Sequence, residues 1–243
     1  MNVPPPLGLS RPSQHDRKYS LRIVQQPVRG RCFGFGEKDR RLIDPPPILQ
    51  LVPEDERPIS SFESMLFVVH CELLASDLSG DRNVVFVPNT LVPPVQTDQE
   101  GVNVMSLRQP ASVRNLIGSL SSSAYHLNNE HGQSGVYFIF HDLTVRTEGT
   151  FRIKFMFMDL AAGEPTTMST RVQYEAITEP FTIYSAKKFP GLIASTPLSK
   201  AFSKQGMKIA IRGSKPKHLA EGSAAAAEDD EEASSISLPF PKT

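Results

Sequence analysis

Between Arg29 and Arg41 the chain sets four arginines and one lysine (Arg29, Arg31, Lys38, Arg40, Arg41) among the glycines Gly30, Gly34 and Gly36, and stops against Asp44-Pro45-Pro46-Pro47. A guanidinium stays charged and presents a planar fork of donors. It can take a phosphate bidentately or read guanine O6 and N7 in the major groove, which an ammonium does less selectively. Glycines allow a backbone to approach a ligand, and prolines hold the following segment extended. A charge run is commonly only a solvated surface. The preference for arginine, the glycines and the stiff flank favour contact with a polyanion, with the five cations divided between phosphate positioning and base reading. Lys187 and Lys188 follow a predicted strand and precede the turn Phe189-Pro190-Gly191. They would extend the same positive surface if the fold brings them to the same end.

The formal net charge is zero, yet the charges are segregated. From Arg17 to Arg41 eight basic residues stand against two acidic ones, for +6; Ser185 to Lys217 carries eight basic residues and no acid. Leu42 to Tyr184 holds eight basic and seventeen acidic residues, for −9. Two positive blocks on a neutral chain imply a directed electrostatic surface. Lys208, Arg212, Lys215 and Lys217 form a looser basic group, read as a partial nuclear-import signal or as further phosphate contacts.

Other chemistry is poorly represented. Cys32 and Cys71 are the only cysteines, and their number and spacing predict neither a disulfide framework nor a metal site. His70, His126, His131 and His141 are scattered and read as structural histidines. Gly34-Phe35-Gly36 lacks the rest of a phosphate loop, and Gly132-Gln133-Ser134-Gly135 brings its second glycine too early for a nucleophile elbow. No enzyme, cofactor or metal is expected.

The elements that must carry the arginines are mostly strands. Tyr19–Val24, Ile48–Val52, Met65–Leu74, Val84–Val87, Val136–Phe140 and Phe151–Met158 are β-branched or aromatic runs bounded by turn residues. In the last of these Phe151, Ile153, Phe155 and Phe157 share one parity, and Arg152 and Lys154 take the other. One helix is predicted from Thr196, with Pro197 in the first turn and Gly206 as its stop; Leu198 and Phe202 face the core, Lys200 and Lys204 face water. A final strand is predicted over Met207–Arg212, and 88–133 is read as long loops with short elements. Strands without strand–helix alternation argue for an all-β antiparallel sandwich or barrel with one or two short helices. Composition divides the chain into a Pro-rich disordered arm over 1–17, a folded body over 18–217, and a disordered tail over 218–243 that contains Glu228-Asp229-Asp230-Glu231-Glu232. No apolar run is long enough to span a membrane and the N-terminus has no signal-peptide core, so an intracellular place is expected.

The ordered motifs resemble a known family. Gln25-Gln26-Pro27, Arg29-Gly30-Arg31 and the Gly34–Arg41 segment leading into Asp44-Pro45-Pro46-Pro47 resemble the opening of the velvet domain of fungal regulators. The run Phe140–Arg152 is similar to that family's central signature. Pro180–Gly191, Ser195–Ser199 and Gln205-Gly206 are similar to its closing one. The resemblance runs in order from Tyr19 to Arg212. It implies an immunoglobulin-like sandwich akin to the Rel-homology domain, in a nuclear regulator that can also occupy the cytoplasm, binds double-stranded DNA sequence-specifically and pairs with itself or another family member. Some members also work with a methyltransferase-like regulator of secondary metabolism and development. The chain lacks the very long mid-domain insertion of one branch, and its acidic Ser-containing tail is similar to that of the spore-viability branch. The competing expectation is an interaction scaffold, a sandwich that heterodimerises with another velvet protein without itself binding DNA. As a further expectation, the acidic tail weakens non-specific DNA binding by lying on the basic loop, or recruits partners.

Overall fold

Alternation of buried and half-buried side chains builds two sheets. The computed structural model describes residues 17–36, 40–55, 57–87, 111–162 and 169–212; expectations for the Pro-rich arm up to 16, for Lys38, for the first part of 88–133, for Lys215, Lys217 and for the acidic tail lie outside them. One sheet has the order β1 (Tyr19–Gln25), β3 (Ile48–Pro53), β10 (Ser134–Ile139), β9 (Tyr125–Asn128). The other has the order β2 (Arg29–Arg31), β14 (Phe181–Tyr184), β12 (Gly149–Asp159), β4 (Phe67–Ala75), β8 (Ser121–Ser123); β13 (Tyr174–Ile177) pairs with the later half of β12, and β14 with its start. Phe151, Ile153, Phe155 and Phe157 of β12 and Phe67, Val69, Cys71 and Leu73 of β4 face Leu49, Leu51, Val136 and Phe138 across the sandwich, all buried. The rings of Phe67 and Phe157 meet edge to face at 5.1 Å, which fixes the two longest strands against each other. All the sheet pairings are antiparallel except β2 with β14. Two short ribbons stand outside the sheets: β5 (Val84–Phe86) with β6 (Ser112–Arg114), and β7 (Leu116–Ile117) with β11 (Thr144–Val145).

The strand β10 is apolar on both faces because both are covered. Val136 and Phe138 enter the sandwich, while Tyr137 and Ile139 turn to the helix α2 (Pro197–Lys204). Thr196 caps that helix by accepting from Ser199 N, and Gly206 beyond its end has φ +92°. Leu198 and Phe202 are buried, and Lys200 and Lys204 are exposed. The buried Gln25 at the end of β1 bonds Pro46 O and Ser199 Oγ, so the helix start, the first strand and the proline segment are tied together. The expected final strand over Met207–Arg212 is not a strand. No ladder partner lies beside it among the described residues; Ile209 is buried beneath α2, Ile211 is 45 % exposed, and Arg212 N instead donates to Ser195 Oγ. A second helix, α1 (Ser61–Ser64), is a single turn closed by a Ser60–Glu63 capping box.

Arg17 is docked on the body through Glu63 (2.6 Å) and Asp55 (2.9 Å), and Tyr19 donates to Glu63. Burial would raise the Glu63 carboxyl, but the hydrogen bonds from Tyr19 and Arg17 outweigh it and hold it below its usual range. Arg17 holds Asp55 down at about 2. Both carboxylates have folded values below their unfolded ones, so their contribution is full above the unfolded range and is lost as pH falls toward 2. In denaturant melts across pH, the stability gap between wild type and Arg17→Ala is expected to be widest above about pH 5 and to close toward pH 2. Phe202→Ala removes a ring packed 4.7 Å from Tyr137 and is expected to cost about 3–5 kcal/mol in the same assay.

Candidate nucleic-acid interface

Parallel pairing decides where the cations go. Arg29, Gly30 and Arg31 of β2 lie opposite Thr182, Ile183 and Tyr184 of β14, so both strands leave the sheet at the same end. Cys32 N continues the pairing by donating to Tyr184 O at 2.8 Å. Beyond β2 come Phe33, Gly34 and the arginines Arg40 and Arg41; beyond β14 comes the turn closed by Lys188 N to Ser185 O, which exposes Lys187 and Lys188. Two basic segments separated by about 150 residues of sequence thus emerge side by side. On its other edge β2 is held by Asp44, which accepts from Arg29 N and donates to Arg29 O at 3.0 and 2.7 Å.

Gly30 is buried where β2 packs on β14. A Cβ there would lie 2.7 Å from Ile183 Cδ1, the tip of a side chain that would have to turn aside to admit it. Gly34, at φ +71° with open space around it, is the glycine whose backbone conformation the turn requires. With Gly30 facing inward, Arg29 and Arg31 face out and are half-buried; Arg29 Nε is shielded from solvent and has no hydrogen-bond partner among the described residues.

The loop is shaped by an arginine that the sequence does not single out. Arg146, 9 % exposed, places its guanidinium 4.7 Å from the centre of the Phe33 ring and donates to Gly34 O at 3.0 Å and to Arg114 O at 2.9 Å. Gly34 N returns a bond to Arg146 O. Arg40 lies over the same ring at 5.7 Å while remaining exposed. Phe33 is therefore the apolar anchor on which the start and end of the loop meet. Burial pushes the Cys32 thiol up, and the Glu148 carboxylate pushes it further.

Of the expected site residues, Arg29, Arg31, Arg40, Arg41, Lys187 and Lys188 come together at this end, and Lys38 lies outside the described residues. Among the described residues Arg29, Arg40, Lys187 and Lys188 make no ion pair. Arg212 differs from expectation: its guanidinium is committed to the buried Asp44 at 3.0 Å, whose other oxygen accepts from Ile193 N. That clamp fixes the far flank of the loop. His70 and His126 meet Ser121 and Ser64, as structural histidines do. Arg146→Ala is expected to leave a melting transition lowered by a few degrees while opening the Phe33–Gly34 turn, seen as faster amide exchange at Gly34 than in wild type.

Comparison with known proteins identifies the family. The family model described as Velvet factor matches residues 19–215. The chain is 34% identical to Velvet complex subunit 2 of Gibberella moniliformis, over 80% of this chain and 61% of that protein. It is 30% identical to Velvet complex subunit 2 of Cochliobolus heterostrophus, over 85% and 88%, and 37% identical to the sexual development regulator velC of Gibberella moniliformis, over 81% and 40%. The chain thus spans less than two thirds of the first and third of these relatives. With the motif order, the sandwich and a family match over most of its length in agreement, this chain belongs to the velvet family.

Proposed function

We propose that this chain is a velvet-type transcription regulator that binds double-stranded DNA sequence-specifically as a homo- or heterodimer. It acts in the nucleus on fungal development, sporulation and secondary metabolism, and has no catalysis of its own. The observation that carries this reading is the parallel β2–β14 pair, which gathers Arg29, Arg31, Arg40, Arg41, Lys187 and Lys188 on one end of the sandwich. A rigid scaffold that fixes loop ends is the usual way β-sandwiches present recognition loops. The names of the relatives, which speak of complex subunits and of a developmental regulator, support pairing with another family member and a developmental role. A methyltransferase-like regulator is a further partner of the same assembly.

The scaffold reading has its own support. At the opposite end of β12, about 33 Å away for eleven residues of strand, Phe62 (69 %) and Met65 (67 %) are exposed on and beside α1, near Leu160 (48 %). Exposed apolar side chains grouped in this way suit a protein partner.

Gel-shift titration of the chain, alone and with a second family member, separates the two. Neutralising about three to five phosphates gives a slope of log affinity against log salt of about −3 to −5. Replacing Lys38, Arg40 and Arg41 together by Ala is expected to weaken binding at least about a hundredfold while preserving the melting transition. Normal binding by that triple variant refutes the assignment, and pairing without any DNA affinity favours the scaffold.

A further inference from the structure

The β5–β6 ribbon turns its apolar residues outward. Val84 lies opposite Arg114, Val85 opposite Val113 and Phe86 opposite Ser112, and Val87 N extends the ladder to Ala111 O at 2.8 Å. Directly opposed residues share a face. One face is therefore Val84, Phe86, Ser112 and Arg114, all exposed; the other is Val85 and Val113, half-buried. Phe86 is 68 % and Val84 55 % exposed. A ribbon whose only duty was structural would turn the larger apolar side chains inward and leave the polar ones to water.

The base of the ribbon is fixed to the arginine loop. Leu73 N donates to Asn83 Oδ1, Asn115 N to Asn83 O, and Arg146 N to Asn115 O. The Arg146 guanidinium then spans from Arg114 O, the last residue of β6, to Gly34 O in the loop. The two carbonyls are separated by no more than one guanidinium and its two hydrogen bonds. Whatever polyanion meets the loop therefore lies beside the ribbon as well.

We infer that the exposed face of this ribbon is a second DNA-contacting element, in which Arg114 takes a phosphate or a guanine edge and Phe86, with Val84, packs on thymine methyls. The inference rests on the regulator reading above and adds a specificity element to it. A two-stranded ribbon fits the major groove, where an arginine and an apolar group together distinguish guanine and thymine from the other bases. Charge agrees. Arg82 is exposed at the start of the ribbon, whereas the nearby Asp77 and Asp81 accept from the backbone N–H groups of Ser79 and Asn83, which partly offsets their charge.

The test uses the full chain and a duplex recovered with it from a random-sequence pool, beside a scrambled duplex of the same composition. Phe86→Ala is expected to bind the recovered duplex about tenfold more weakly and the scrambled one unchanged, and Arg114→Ala to weaken both and flatten the salt slope by about 1. Both side chains are exposed, so melting transitions serve as the folding control. An effect of this kind in either variant supports the ribbon contact. Wild-type affinity and slope in both, while the triple variant of Lys38, Arg40 and Arg41 loses binding, overturns the ribbon and leaves the loop reading intact. A wild-type chain that recovers no duplex overturns the regulator reading and the ribbon with it.

Discussion

The architecture of the basic end depends on one pairing: the parallel register of β2 beside β14, in which Gly30 lies opposite Ile183. A Cβ on Gly30 would lie 2.7 Å from Ile183 Cδ1, so any larger residue there would oblige the tip of that buried side chain to turn aside. That register is parallel, and a parallel pair sends both chain exits the same way. Had β2 paired antiparallel, the Arg40–Arg41 segment and Lys187–Lys188 would leave opposite ends of the sheet. The gathering of these cations at one end is thus a consequence of topology.

Arg146 does the next share of positioning. Its charge is spent inside the protein: two carbonyls and a phenyl face receive it, and only 9 % of the residue reaches solvent. A hydrogen bond from a charged donor to a shielded carbonyl is stronger than a neutral one, and the planar fork lets one residue hold two backbone segments at a set spacing. The loop and the ribbon consequently share one support. Asp44 performs the matching task on the other flank, where it binds Arg29 through its backbone and Arg212 and Ile193 through its carboxylate. Both flanks of the loop are thereby tied to the body of the sandwich.

How much of this the sequence discloses depends on whether a feature is local. The parity of Phe151, Ile153, Phe155 and Phe157 identifies β12 and its buried face because strand periodicity is written in neighbouring residues. The helix α2 is equally legible from Thr196, Pro197 and Gly206. The same alternation in Met207, Ile209 and Ile211 misleads, since periodicity shows a buried face but not a ladder partner, and here Ile209 is covered by a helix. The arginine cluster is legible because its members adjoin in sequence. Arg146 and Arg114 are not, because their link spans 32 positions and depends on a carbonyl that no residue type announces. Gly30 is visible as a glycine, but its reason, Ile183, lies across the fold.

Segregation of charge is completed by pairing elsewhere. Arg17 and Arg57 meet Asp55 and Glu63, Lys154 meets Glu72 and Glu175, and Arg152 meets Glu179. Arg17–Glu63 is shielded from solvent, whereas the more exposed pairs each contribute little to stability, about 0–1 kcal/mol. Their larger effect is electrostatic: Arg152 and Lys154 offset carboxylates of the acidic central block, and Arg17 offsets two more. Arg29, Arg40, Lys187 and Lys188 have no carboxylate in ion-pair contact among the described residues. A chain with zero formal charge can in this way keep its basic and acidic segments apart without the self-repulsion that a net positive protein would carry.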